Sequence, residues 1–208
     1  MARVSKKPEE RKEELIEAAR RLFIAKGYEH TAVSDIVRET NVAQGTFYYH
    51  FRSKLDVLEE VAKKWIFSLA EEVAVMVDSP ADPLAKLNSF YEVMIRYSYS
   101  RQPLTSVLHQ ESNLVLHHKL SQITMSKLVP LLERVLDEGR RQGVFSVDYP
   151  AETARLLLLS VGSMFHDRQV LTSAETIEKA RRTLELSAAR ILGVADGEIR
   201  LNFDITSQ

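Results

Sequence analysis

The chain has 208 residues, 45% of them hydrophobic and 27% charged, enough to build a packed core in one large domain or two small ones. It has no cysteine, which excludes a disulfide framework, a zinc–thiolate site and a thiol nucleophile. No window reaches the ~18 uninterrupted apolar residues of a membrane span, and the charged start Met1 to Arg11 lacks the apolar run of a secretory leader, so a soluble, cytoplasmic protein with no membrane partner is expected.

Gly (7) and Pro (6) are scarce beside Leu, Ala, Glu, Arg and Lys, which favours helices. The net charge of -1 hides an asymmetry: residues 1–54 hold 11 Lys and Arg against 8 Asp and Glu, so the excess of acid lies in the rest of the chain. A basic end on an acidic body suits a molecule that touches a polyanion at one end, although a difference of this size is common by chance.

The first helix is carried by Leu15, Ala18, Ala19, Leu22 and Phe23 at helical spacing, with Pro8, Glu9 and Glu10 in its first turn and Gly27 as its stop. A helix of about two turns follows, with Thr31 as its expected N-cap, Val33, Ile36 and Val37 as its buried side and Asn41 as a left-handed terminator. Val42 and Ala43 make a turn into a third short helix, about Gln44 to Phe51. None of the three is long enough to be stable alone, so they must pack as a bundle.

A fourth helix starts near Ser53, an N-cap with Asp56 three residues on, and runs to about Val77. A fifth covers about Leu84 to Ser100, ended by Gln102-Pro103. A sixth is expected from about Leu104 to Leu116 and a seventh from about Lys119 to Gln142, where Pro130 should kink or split it. After a loop at 143–150, an almost wholly apolar eighth helix spans about Ala151 to His166, and a ninth runs from about Ala174 to Leu192, stopped by Gly193. In the tail, Ile199, Leu201, Phe203 and Ile205 alternate with polar residues, a pattern open to clipping onto a partner subunit or to disorder.

Thr31 to Lys54, TAVSDIVRETNVAQGTFYYHFRSK, carries the function. Two short helices on a tight turn form a helix-turn-helix, whose second helix enters the major groove. That helix is polar, small and aromatic except for Phe47 and Phe51, four apart on one face, which can anchor it. Gly45 weakens a helix by ~1 kcal/mol relative to Ala and makes sense where backbone must approach another surface. Gln44 and Thr46 can reach base edges, while Tyr48, Tyr49, His50 and Lys54 have donors for phosphates.

On these residues the chain resembles the TetR family of bacterial regulators. RKEELIEAARRLFIAKGYEHT, VSDIV and NVAQGTFYYHFRSKLDVL, within residues 11–60, resemble that family's DNA-binding domain. The resemblance implies DNA contacts at Thr31, Gln44, Gly45, Thr46, Tyr48, Tyr49, His50 and Lys54. Asn41 departs from the usual glycine of the turn, and Ala32 from the usual Ser or Thr, which puts one phosphate contact in doubt.

The expectation is therefore an all-α fold of about nine helices, with a DNA-binding three-helix bundle at 1–54 and a helical ligand-binding and dimerisation domain at 55–208. The resemblance implies a homodimer bundled through the last two helices, and the eighth is too apolar for a monomer surface. The interface is placed at Leu158, Gly162, Phe165, Leu184, Ser187, Ala188 and Ile191. Tyr91, Met94, Tyr97, His109, Met125 and Met164 suit a cavity for a greasy effector of unknown identity, though each taken singly suits plain core. His109, His117, His118 and His166 have no i, i+4 spacing, so no metal and no cofactor is expected.

The leading function is a repressor released from a palindromic operator on duplex DNA by a small hydrophobic molecule. The alternatives are an activator or co-repressor-dependent regulator of the same family, a metal-dependent enzyme on His109, His117 or His166 with Glu111 or Asp167, and a helical adaptor with no DNA role.

Overall fold

A computed structural model describes residues 7–99, 107, 110–166 and 173–201. Among them are eight α-helices and one short 3₁₀ helix: α1 Pro8–Lys26, α2 Val33–Glu39, α3 Gln44–His50, α4 Lys54–Val77, α5 Pro83–Tyr99, the 3₁₀ turn Glu111–Asn113, α6 Leu114–Arg141, α7 Pro150–His166 and α8 Ala174–Leu192. No strand occurs among the described residues. No helix there is long and apolar enough to cross a membrane.

The chain divides into two compact units. One holds the described residues of Met1–Ile66 and Arg101–Ser121, the other those of Phe67–Ser100 and Gln122–Gln208. The first unit thus extends past residue 54 and takes in the start of α6.

The first unit is built around α1, whose buried stripe is Leu15, Ile16, Ala18, Ala19 and Phe23. Pro8 opens α1 in its first turn, the Lys7 N–H donates to Glu10 Oε2 at 3.3 Å, and the Gly27 N–H donates to the Phe23 carbonyl at 3.0 Å. Gly27 then leaves the helix at φ 83°. Ile36 and Val37 of α2, Phe47 of α3 and Val57, Leu58 and Val61 of α4 complete the core. Lys119 of α6 pairs with Glu59 of α4 at 2.5 Å, and Gln110 donates to Glu29 at 3.3 Å.

The second unit closes on one apolar cluster drawn from α4 to α8, with Leu87, Phe90, Tyr91 and Ile95 of α5 at its centre. Its buried charges are neutralised. Lys86, 4% exposed, donates to Glu138 at 2.8 Å. Glu185, also 4% exposed, is met by Arg181 and Arg182 and accepts the Leu201 N–H at 3.0 Å.

Four expectations need correction. The sixth and seventh helices do not break between 116 and 119, because α6 is continuous from Leu114; residues 104–106, 108 and 109 of the expected sixth helix lie outside the described residues. Of the kink or split expected at Pro130, the split does not occur: Pro130 sits inside a continuous α6. It and Ser126 are both exposed, so the Ser126 carbonyl that loses its helical donor faces water. Ala32, not Thr31, is the N-cap of α2, and the Asp35 carboxylate accepts the Ala32 N–H at 3.0 Å. The described part of the tail neither reaches for a partner nor hangs free: Ile199 and Leu201 are each 1% exposed in their own chain's core. Asn88 holds them there, donating to the Glu198 carbonyl at 3.0 Å and accepting the Arg200 N–H at 2.9 Å. Phe203 and Ile205 lie outside the described residues.

Candidate nucleic-acid interface

The geometry of α2, the turn and α3 follows from a few local choices. α2 ends where Thr40 Oγ1 donates back to the Ile36 carbonyl at 3.0 Å and Asn41 takes φ 51°, the left-handed state expected of it. The Val42 N–H then reaches the Val37 carbonyl at 3.0 Å, closing the turn. Ala43 caps α3, and the Thr46 N–H donates to the Ala43 carbonyl at 2.9 Å.

Helix α3 has seven residues and a single buried side chain, Phe47. Phe47 packs on Phe51 with ring centroids 5.4 Å apart, and Tyr48 lies edge-on to Phe47 at 5.5 Å. The rest of α3 faces outward. Gln44, Gly45, Tyr48 and Tyr49 are exposed, Tyr49 at 76%, and Thr46 and His50 are half-buried. A seven-residue helix held by one aromatic anchor turns six polar, small or aromatic residues to solvent, with no acid among them.

Gly45 is the informative residue. A Cβ built there meets nothing within 4 Å, and its φ is not positive. Neither internal packing nor backbone conformation asks for glycine, although glycine costs a helix ~1 kcal/mol. Among the described residues, nothing packed against Gly45 requires it to be glycine.

Burial lowers the His50 pKa from its ordinary value, Lys12 lowers it further, and Glu9 opposes them. At neutral pH His50 is therefore an uncharged imidazole that can donate or accept one hydrogen bond. Lys54 is held rather than free: its Nζ donates to the Tyr28 carbonyl at 2.7 Å and lies 4.0 Å from the Tyr28 ring centroid. Desolvation lowers its pKa against the opposing pull of Glu29. Thr31 does not belong to this surface. It is 1% exposed, and its hydroxyl donates to the Gly27 carbonyl at 2.8 Å, so it braces the α1–α2 corner. A motif match cannot distinguish a hydroxyl pointing at DNA from one pointing at its own backbone.

The residues placed at a subunit interface divide. Leu158, Leu184 and Ala188 are at most 4% exposed and belong to their own chain's core, a correction to the face expected from the sequence. Ser187 and Ile191 are exposed, Gly162 is half-buried, and the Phe165 side chain lies outside the described residues. The outward apolar positions missed were Leu156 at 53% and Leu159 at 51%. Four successive leucines, 156 to 159, leave periodicity unable to choose a side.

Of the six residues expected to line an effector cavity, five fall in the second unit. Tyr91 and Met94 lie in its core, and Tyr97, Met125 and Met164 pack against it. His109 and the side chain of His166 lie outside the described residues, His117 is half-buried and His118 exposed. Among the described residues, no three His, Asp or Glu converge as a metal site would require.

A helix-turn-helix that keeps one anchor inside and turns the remainder of its second helix outward defines a DNA-binding transcriptional regulator. Residues 15–61 match the model of bacterial regulatory proteins, tetR family, and residues 98–184 match that of the tetracyclin repressor-like C-terminal domain. The chain belongs to the TetR family, a family of regulators rather than enzymes.

It is 26% identical over 151 residues to the HTH-type transcriptional repressor KstR2 of Mycobacterium tuberculosis, covering 71% of this chain and 68% of that one. It is 26% identical over 148 residues to the fatty acid metabolism regulator protein of Bacillus subtilis, covering 70% and 76%. A TetR-family regulator from Pectobacterium atrosepticum shares the fold with a TM-score of 0.74 at 19% identity, over 91% of this chain and 98% of that one. Regulators of this family bind DNA and ligands and act as dimers.

Proposed function

We propose that this protein is a repressor whose homodimer grips a palindromic operator through two copies of α3 and lets go when a small, mostly apolar molecule enters the second unit. Gly45 carries this reading: a glycine with open space where its Cβ would be, on an outward helix, lets backbone lie close against another surface. Gln44 and Thr46 reach base edges, and a glutamine pairs well with adenine. Tyr48, Tyr49 and neutral His50 bond phosphates. Lys54 sets the α1–α2 corner through Tyr28 and adds positive charge beside the groove.

One short helix reads few base pairs, and pairing two heads ~34 Å apart doubles the reach. The outward apolar stripe Leu156 and Leu159, with Gly162, Ser187 and Ile191, is the surface we assign to the second subunit. The effector need favour the released conformer by only ~1–3 kcal/mol to shift occupancy usefully.

The test is fluorescence anisotropy on a duplex from the gene's own promoter region, comparing wild type with Gln44→Ala plus Tyr49→Ala. Losing a base contact and a phosphate contact should weaken binding by at least about tenfold. Equal affinities would overturn the reading.

A further inference from the structure

Tyr91 of α5 is 1% exposed, at the centre of the second unit's core. Its ring packs edge-on to Phe90 at 6.2 Å, but its hydroxyl has no hydrogen-bond partner among the described residues. Burial alone pushes the phenol well above its usual range, so the group stays protonated and able to donate. A buried hydroxyl without a partner is uncommon and unfavourable, and a phenylalanine would fill the same space without that cost.

The surroundings are equally specific. Met76, Met94, Met125 and Met164, every methionine of the chain but the first, lie in or against this one cluster. Methionine is the apolar side chain that repacks most readily around a guest. The charged groups buried in this unit are already satisfied: Lys86 by Glu138 at 2.8 Å, and Glu185 by two arginines and the Leu201 N–H. No spare buried charge among the described residues can neutralise a charged guest, and an unpaired ion in such a core is strongly disfavoured.

We propose that the effector is an uncharged, largely apolar molecule bearing one hydroxyl or carbonyl oxygen, and that the Tyr91 hydroxyl is the polar anchor that takes it. This rests on the ligand-responsive reading above and adds the effector's chemical class. The methionines move aside to admit the apolar body, and the oxygen gives the Tyr91 hydroxyl the partner it does not find among the described residues. Tyr91 thus gives up stability in the empty state and regains it on binding.

The experiment uses the full chain, wild type and Tyr91→Phe, in isothermal titration calorimetry at pH 8. The probes are two matched pairs, 1-decanol with decanoate and 2-acetylnaphthalene with 2-naphthoate. At least one neutral probe is expected to bind the wild type, and its ionised counterpart to bind at least about tenfold more weakly. Tyr91→Phe should weaken the neutral probe about tenfold. Empty Tyr91→Phe should melt at or above the wild-type temperature.

Stronger binding of an ionised probe, failure of both neutral probes to bind, unchanged affinity in Tyr91→Phe, or a lower melting temperature for that variant would each overturn the proposal. Operator binding by the Gln44/Tyr49 double variant reports on the regulator reading independently, so the two can fail separately.

Discussion

Replacing Phe47 with alanine should detach the reading helix from its own domain. Phe47 is 0% exposed and is the one buried side chain of α3, so no neighbour on that helix can compensate. Truncating a buried phenylalanine typically costs ~3–5 kcal/mol. Set against the ~5–15 kcal/mol that holds a typical domain together, this is a large fraction. At ~2–4 °C per kcal/mol for a chain of this size, the melting temperature should fall by about 10 °C.

The measurement is thermal denaturation followed by circular dichroism, with Tyr49→Ala as the matched control. Tyr49 is 76% exposed, so its loss should change stability by less than ~0.5 kcal/mol while still weakening DNA binding. Phe47→Ala should damage both properties and Tyr49→Ala only the second. The reasoning is wrong if Phe47→Ala melts within about 2 °C of wild type, or if the two variants lose equal stability.

Three further outcomes are expected. The hydrogen bond from Lys26, the Ala32 N–H and the charges of Lys26 and Arg38 hold the Asp35 carboxyl at about 2, below its ordinary 3.8. A depressed folded pKa gives stability that is present above about pH 4 and lost as the pH falls towards 2; Asp35→Asn should flatten that part of the urea-midpoint profile, and an unchanged slope would contradict the pairing. Gly139→Ala would drive a Cβ into the ring of Phe145, itself 3% exposed, and should cost ~1–3 kcal/mol in urea unfolding, relieved by adding Phe145→Leu. Ending the chain after Val194 removes Ile199 and Leu201 from the core and leaves Glu185 without its Leu201 donor, so ~3–6 kcal/mol of stability should be lost in the same assay, against ~0.5–1.5 kcal/mol for Asn88→Ala.

The helix-turn-helix was legible because each local signal agreed: the apolar stripe of α1, Gly27 as a stop, Asn41 at positive φ and the lone anchors Phe47 and Phe51. What eluded the sequence depends on direction rather than position. Thr31 matched a contacting position, yet it turns its hydroxyl to Gly27, and Lys54 spends its ammonium on Tyr28. In α7 the run Leu156 to Leu159 hides which residues face out, since an all-apolar turn has no period to read. The tail's alternation was visible, but its berth was not, because the pairing of Asn88 with Glu198 and Arg200 spans 110 residues or more along the chain. That the Tyr91 hydroxyl finds no partner among the described residues is a property of packing alone.

The central claim is that α3 lies directly against duplex DNA, and Gly45 is where to test it. Gly45 is exposed and nothing lies within 4 Å of an added Cβ, so the side chain of Gly45→Leu extends toward solvent in the free protein, and by helix propensity it should match or exceed the wild type in stability. In an anisotropy titration on the promoter duplex, the account predicts a fold of unchanged stability with affinity reduced more than about tenfold. A stable Gly45→Leu protein that binds the duplex within about twofold of wild type would contradict it.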